Sequence, residues 1–329
     1  MRKILLGLFI FISLINPVHA ESYCVMNGND GTVIEEQDMH KTQSVASISK
    51  IMTAIVAIEN GDLDDQWQVS DAILTVDGSS IYLQVGDQVD LRTLLYGLML
   101  RSGNDAAIEI AVHVGGSAEN FVKMMNEKAA QLGMKDTLFH NPSGLDEEDG
   151  GNISSAYDMA LLMRYALRND TFKEISGSPY FDYANHVRWV NKNKLLFSYD
   201  PITAGKTGYT KHAGRTLVTS AESNDLESIV VTLDMGDDFR FHQDQHEGMF
   251  EEYHSYVILK AGTYHINHYT YEIPDTLRIV LRNDMEHDIR VNSRCDQGVL
   301  SVEVIKDGER LVYEWKGVKD RTKKKGWFF

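Results

Sequence analysis

Three short segments carry the side chains that could do chemistry. Ser47-Ile48-Ser49-Lys50 sets a hydroxyl and an amine three residues apart. On a helix that spacing puts both on one face, where the amine can take the hydroxyl proton. A serine needs such a base to attack near neutral pH, and the free N–H groups of a helix start would stabilise an oxyanion beside it. Taken alone, the segment reads more simply as a capping serine and a solvated lysine. Ser102-Gly103-Asn104 brings a hydroxyl and an amide to a bend that glycine permits. The serine could pass a proton to a leaving amine and the asparagine could hold a substrate amide; the plainer reading is a polar connection between helices. Lys206-Thr207-Gly208 precedes a strand pair. A strand edge accepts an extended peptide through main-chain hydrogen bonds, glycine allows close approach, and Lys206 and Thr207 offer charge and a donor to a carboxylate. The plainer reading there is an edge strand guarded by lysine. Each pattern occurs once in the chain, in this order.

The elements that must position these residues follow from periodicity and turn chemistry. Tyr23–Met26 and Thr32–Glu35 flank Asn27-Gly28-Asn29-Asp30-Gly31, a hairpin signal. Ser44 to Asn60 reads as a helix with Ile48, Ile51, Met52, Ile55 and Ile58 near one face and Gly61 as its cap. Leu91, Leu94, Leu95 and Leu98 mark a second helix, broken at Ser102-Gly103-Asn104 and resumed from Ala106 to Val114. Further helices are expected over Ala118–Leu132 and Ala156–Leu167, and paired strands over Leu217–Ala221 and Ser228–Leu233. Strands, then helices, then strands again up to about residue 265 give an α+β pattern. After about Asn267 the texture changes to short strands, Leu277–Leu281, Asp288–Val291, Val299–Val304 and Arg310–Tyr313, with Asp307-Gly308 as the last turn. That reads as a small all-β module.

Length and composition bound the function. A chain of 329 residues, 43% hydrophobic and 24% charged, is long enough for one large or two smaller globular domains. With Lys plus Arg at 32 against Asp plus Glu at 48, the formal charge is −16. Such a chain repels phosphate backbones, so no nucleic-acid partner is expected. Arg2-Lys3, the apolar run Ile4–Ile15 and Val18-His19-Ala20 form a cleavable export leader over 1–20. A run of about twelve apolar residues is too short for the ~20 that a bilayer span needs. Bulky Tyr23 before Cys24 argues against a lipid-modified cysteine, and two distant thiols, Cys24 and Cys295, do not show whether they pair.

The three segments fall in the order and contexts of serine penicillin-recognising enzymes. The chain resembles the low-molecular-mass penicillin-binding proteins that act as serine-type D-alanyl-D-alanine carboxypeptidases. Arg101-Ser102-Gly103-Asn104-Asp105-Ala106, Asn141-Pro142-Ser143-Gly144-Leu145-Asp146, Ser154-Ser155-Ala156-Tyr157-Asp158 and Gly205-Lys206-Thr207-Gly208 carry the likeness beyond the three motifs. The resemblance implies an α+β fold: a β-lactamase/transpeptidase-like catalytic domain over 21–265, then a small β-rich domain over 266–316 and a basic aromatic tail over 317–329. It implies that Ser47 attacks the bond between two terminal D-alanines of a peptidoglycan stem peptide. Lys50 would be the general base, Ser102 a proton relay and Asn104 a clamp on the peptide. Lys206 and Thr207 would recognise the terminal carboxylate beside Gly208, and the backbone N–H groups of Ser47 and Tyr209 would form the oxyanion hole. Penicillins would acylate Ser47, and no metal or organic cofactor is implied. Arg240, in Asp238-Phe239-Arg240-Phe241, is the candidate for a further arginine that pairs with the substrate carboxylate.

There are departures from the family pattern. Tyr209 stands where many relatives have histidine. A basic run (Lys316, Lys319, Arg321, Lys323, Lys324, Lys325) before Gly326-Trp327-Phe328-Phe329 replaces a long amphipathic helix. Lysines against anionic lipid and interfacial aromatics make that tail a candidate peripheral membrane contact. The expected location is the periplasm or cell-wall space, at the outer face of the cytoplasmic membrane if the tail attaches. One rival is a β-lactamase of the same fold, for which Glu148 before Asn152 is the candidate carboxylate; another is an inactive wall-binding module, which needs no nucleophile–base pair. None of the twelve histidines has His-Glu-x-x-His spacing.

Overall fold

The computed structural model describes residues 22–146, 151–183, 187–306 and 308–319. The expected leader, Glu148 and the tail from residue 320 lie outside the described residues. The turn-rich segment after Asn27 folds as its composition demands: strand Ser22–Asn27 pairs antiparallel with Val33–Gln37. This hairpin forms one side of a five-stranded sheet that continues through Leu226–Leu233 and Gly214–Ser223 to the edge strand Ile202–Thr210, all pairs antiparallel.

One face of the sheet packs on helices. Met26, Val218, Ile229 and Val231 meet Ile48, Ile51, Met52 and Ile55 of the segment that follows Ser47, all fully buried. The expected helix over 44–60 is shorter and begins differently. Gln43–Ser44 is a two-residue strand against Ile153–Ser154, Ala46–Ser49 is a tight 3₁₀ turn, and the α-helix runs Lys50–Asn60. The N–H of Val45 donates to Asn152 O, and Thr216 Oγ1 on the sheet donates to Val45 O. These bonds fix the chain at Val45, just before Ala46, which takes a left-handed φ of 49°. Gly61 closes the helix with an extended φ of −108°, so contact rather than a left-handed turn requires glycine: a Cβ there would lie 2.5 Å from Leu91 Cδ2.

The second helix, Leu91–Tyr96, passes into a wider π-type turn over Gly97–Arg101 and stops at Ser102, whose φ is 61°. Asn104–Gly115, Ala118–Gln131 and Ala156–Ala166 follow close to the expected positions.

The opposite face of the sheet carries a helix that the sequence pattern did not reveal, Asp238–Glu252. It docks through Met249 against Leu226 and through two fully buried histidines. Thr219 Oγ1 lies 2.6 Å from His242 Nδ1 and 2.8 Å from His246 Nε2, Thr232 Oγ1 is 2.9 Å from His242 Nε2, and Ser228 Oγ is 2.8 Å from His246 Nδ1. Every ring nitrogen therefore has a hydroxyl partner, which is what a buried polar group requires.

The β-rich unit starts earlier than the change of texture near residue 267. Tyr253–Leu259 pairs with Leu277–Arg282, so the expected boundary at 265/266 falls inside it, at the end of strand Gly262–Ile266. Gly262–Ile266 pairs with Tyr269–Ile273, and Ile289–Asp296, Val299–Lys306 and Glu309–Lys316 form a three-stranded sheet. Val318–Lys319, expected as tail, pairs with Tyr269 and Thr270. Cys24 is buried in the central sheet, Cys295 sits beside the Tyr271 hydroxyl at 2.7 Å, and both thiols are free.

Burial lowers the His246 pKa to about 3 from the ordinary 6.5, and burial with the neighbouring His246 lowers that of His242. Between about 6.5 and 3 the unfolded chain binds a proton that the folded His246 excludes, so this contribution is complete above pH 6.5 and is lost as pH falls. Thermal melts are expected to show Tm falling between pH 7 and 4, with a shallower fall in His246→Gln. Equal slopes in the two proteins would refute that assignment.

Candidate active site

Lys50 is fully buried at the first turn of its helix, directly below the Ser47 turn. Its Nζ donates to Ser47 Oγ at 3.2 Å, to Asn104 Oδ1 at 2.7 Å and to Ser143 O. Three acceptors meet the three donors of an ammonium, and they come from three different parts of the chain. Burial and the charge of Lys192 lower its pKa to about 7, with Asp105 opposing. A large fraction of Lys50 is therefore unprotonated near neutral pH and can act as a base.

Each acceptor is held by its own supports. Asn141 Oδ1 accepts from Ser143 N at 3.1 Å and Gly144 N at 2.7 Å, and Thr53 Oγ1 donates to Pro142 O, so the loop turns Ser143 O toward Lys50. Gly144 is left-handed at φ 76°, and a Cβ there would strike Ala46 O and Ser49 Oγ. Asn104 Nδ2 donates to Asp77 O at 2.6 Å, which aims Oδ1 at the lysine. Asp105, which the sequence analysis gave no role of its own, anchors the segment beyond Asp77. Its carboxylate accepts from Ser80 Oγ, Ile81 N and Leu83 N while buried at the start of its own helix.

On the other side of the cleft, Lys206 Nζ donates to Ser102 Oγ at 3.0 Å and to Thr207 O at 2.7 Å. Lys206 is also buried, and burial with the nearby charges of Lys50 and Lys192 depresses its pKa well below the usual lysine value. A Cβ on Gly208 would lie 3.0 Å from Ser47 N and 3.1 Å from Ile48 N, so glycine lets the edge strand abut the Ser47 turn. A cleft of about 370 Å³ opens along this seam, lined by Ser47, Ser79, Ser102, Thr207, Gly208 and Tyr209, and Tyr209 is 66% exposed at its rim. The structure thus brings together Ser47, Lys50, Ser102, Asn104, Lys206, Thr207, Gly208 and Tyr209.

It does not bring Arg240 there. Arg240 lies on the helix Asp238–Glu252 with its side chain 77% exposed, 3.7 Å from Asp244, and it lines a separate cavity with Tyr23, Gln37 and Phe241. The basic residues that line the cleft are Lys192, Lys194 and Arg215. Lys192 Nζ donates to Ser79 Oγ at 3.0 Å. No motif marked these three in the sequence, because long-range pairing places them. Among the described residues, no group of three or more His, Cys, Asp or Glu side chains could hold a metal ion. No helix among them is long and apolar enough to cross a membrane.

The family model described as D-alanyl-D-alanine carboxypeptidase matches residues 13–237, which include every one of the clustered residues. The chain belongs to this family. It is 35% identical over 224 residues to D-alanyl-D-alanine carboxypeptidase DacF of Bacillus subtilis, a match covering 65% of this chain and 57% of that protein. It is 36% identical over 231 residues to DacC of Escherichia coli, covering 66% and 56%. The chain thus spans little more than half the length of these curated carboxypeptidases. Penicillin binding protein 6B of Escherichia coli has a similar structure, with a TM-score of 0.73 at 27% identity over 91% of this chain and 95% of that one. That coverage takes in the C-terminal β-rich unit as well as the carboxypeptidase-family fold, in agreement with the expected α+β architecture.

Asp105→Ala removes a charged acceptor from one hydroxyl and two backbone N–H groups. Hydrogen bonds to charged groups contribute about 1.5–3 kcal/mol each, with losses that overlap within one network. Denaturant titration should show a loss of at least about 2 kcal/mol; a variant as stable as the parent would contradict this role.

Proposed function

We propose that the protein is an exported serine peptidase that removes the terminal D-alanine from D-Ala-D-Ala peptidoglycan stem peptides and is acylated by penicillins. The observation that carries this reading is Lys50 Nζ, 3.2 Å from Ser47 Oγ, with a pKa lowered to about 7. In this scheme Lys50 takes the Ser47 proton as Oγ bonds to the scissile carbonyl carbon. Negative charge collects on the carbonyl oxygen opposite the N–H groups of Ser47 and Tyr209. The C–N bond then breaks, and the departing D-alanine amine receives a proton through Ser102, which Lys206 holds at 3.0 Å. Asn104 holds the peptide, and Lys206 and Thr207 read its terminal carboxylate along the edge strand. Water, activated by the same Lys50, releases the shortened peptide and restores Ser47. No metal or organic cofactor enters the scheme.

The leader over 1–20 sends the protein to the periplasm or cell-wall space, where stem peptides and β-lactams are its partners. The basic aromatic tail gives it a peripheral contact with the outer face of the cytoplasmic membrane.

Incubation with benzylpenicillin followed by intact-mass measurement should show one lasting adduct, absent from Ser47→Ala. Hydrolysed drug beside unmodified protein would instead indicate a β-lactamase, and intact drug beside unmodified protein would remove the acyl-enzyme mechanism. Lys50→Ala should slow acylation about 10²–10⁴-fold. In the parent protein the acylation rate should rise through about pH 7 and level off above it as Lys50 loses its proton. A rate indifferent to pH between 5 and 9 would exclude Lys50 as the base.

A further inference from the structure

Any substrate cut at its C-terminal residue presents a carboxylate on the leaving side of the scissile bond. In this cleft that side is bounded by the edge strand Ile202–Thr210 and by what reaches over it from the opposite face of the sheet. Arg215 lies directly across from Tyr209 in the strand register, one position beyond the Thr216–Gly208 pair. Side chains alternate across a strand. Thr216 points to the Ser47 turn and bonds Val45 O, so Arg215 leaves the other face of the sheet. Even so, it lines the cleft that contains Ser47, Ser102 and Thr207.

Two contacts hold the guanidinium at that edge. Its NH2 donates to Asp238 Oδ1 at 2.5 Å, and its carbon lies 5.6 Å from the centre of the Phe239 ring. Asp238 is itself fixed, with a side chain only 4% exposed and Oδ1 accepting from Phe239 N. The Arg215 side chain remains 44% exposed. A guanidinium has five donors in one plane, so the edge not spent on Asp238 can give a carboxylate a two-pronged bond. Lys194 Nζ, 5.9 Å from the same ring, adds positive charge. Arg240 stands two residues beyond Asp238 on the helix, about 200° further round it, which accounts for its position in a different cavity.

We propose that Arg215, held by Asp238 and Phe239 at the cleft edge, is a further specificity-determining residue that reads the substrate's terminal carboxylate alongside Lys206 and Thr207, in place of Arg240. The inference rests on the carboxypeptidase reading of the Ser47 cleft. It makes selectivity depend on two segments far apart in sequence, the strand Gly214–Ser223 and the start of the helix Asp238–Glu252. Asp238 is a positioning residue in this arrangement.

The test compares steady-state release from a peptide ending in D-Ala-D-Ala with release from the same peptide capped as its C-terminal carboxamide. In Arg215→Gln, kcat/KM for the free carboxylate should fall about 10–100-fold, chiefly through KM, while the slower carboxamide reaction is unchanged. Arg215→Lys should restore part of the loss, and Arg240→Gln should match the parent on both peptides. Equal loss on both peptides, or no loss on either, would overturn the role of Arg215. The penicillin adduct of the parent protein separates the two levels. Its absence would remove the reading of the cleft itself, whereas its presence beside an indifferent Arg215→Gln would remove only this inference.

Discussion

Burial of the Lys50 ammonium is the constraint on which the site depends. Removing a charge from water is costly unless it is paired or hydrogen-bonded, and Lys50 is fully buried with no carboxylate among the described residues in hydrogen-bond contact. The fold meets this by delivering one acceptor from the Ser47 turn, one from the helix beginning at Asn104 and one from the loop at Ser143. Each acceptor has a second set of bonds behind it: Asn141 behind Ser143, Asp77 behind Asn104, and Asp105 behind the segment after Asp77. The residual penalty appears as a lowered pKa, and a lysine that gives up its proton near pH 7 is a usable base. The same desolvation that strains the structure therefore prepares the chemistry.

Much of this arrangement was legible in the sequence, because its central parts are local. Serine and lysine three apart, a serine and an asparagine around a glycine, and a lysine beside a glycine on a strand each imply geometry within a few residues. The long-range supports left little trace. Asp105 looks like an ordinary acidic residue in a first helical turn, and its role as anchor for Ile81 and Leu83 appears only when a loop 22–24 residues earlier folds over it. Arg215 reads as one charge in a strand until the sheet edge is in place.

The helix Asp238–Glu252 went unread for a different reason. Its buried stripe is His242, His246 and Met249, and a pattern search that counts only apolar residues sees too few. The histidines do the work of core residues because three hydroxyls on the sheet satisfy their ring nitrogens. Without that helix in view, the direction of the Arg240 side chain cannot be inferred. The pairing that crosses the expected 265/266 boundary left no mark in the sequence on similar grounds. Strand Tyr253–Leu259 finds its partner at Leu277–Arg282 across an intervening hairpin, and no local signal ties it to the later strands.

Both serines of the cleft are adjoined by backbone that L-residues avoid. Ala46, immediately before Ser47, has φ 49°, and Ser102 itself has φ 61°. Such conformations cost on the order of 1–3 kcal/mol each and persist only where surrounding packing imposes them. The reactive groups thus sit at two bent springs, kept loaded by the weight of core above and below them. A protein built this way does not soften evenly. Loosening of the packing around Ala46 and Ser102 would let these two joints relax. Reactivity should therefore fade before the fold does, and ageing or mild heating would leave a chain that is still folded but already inert.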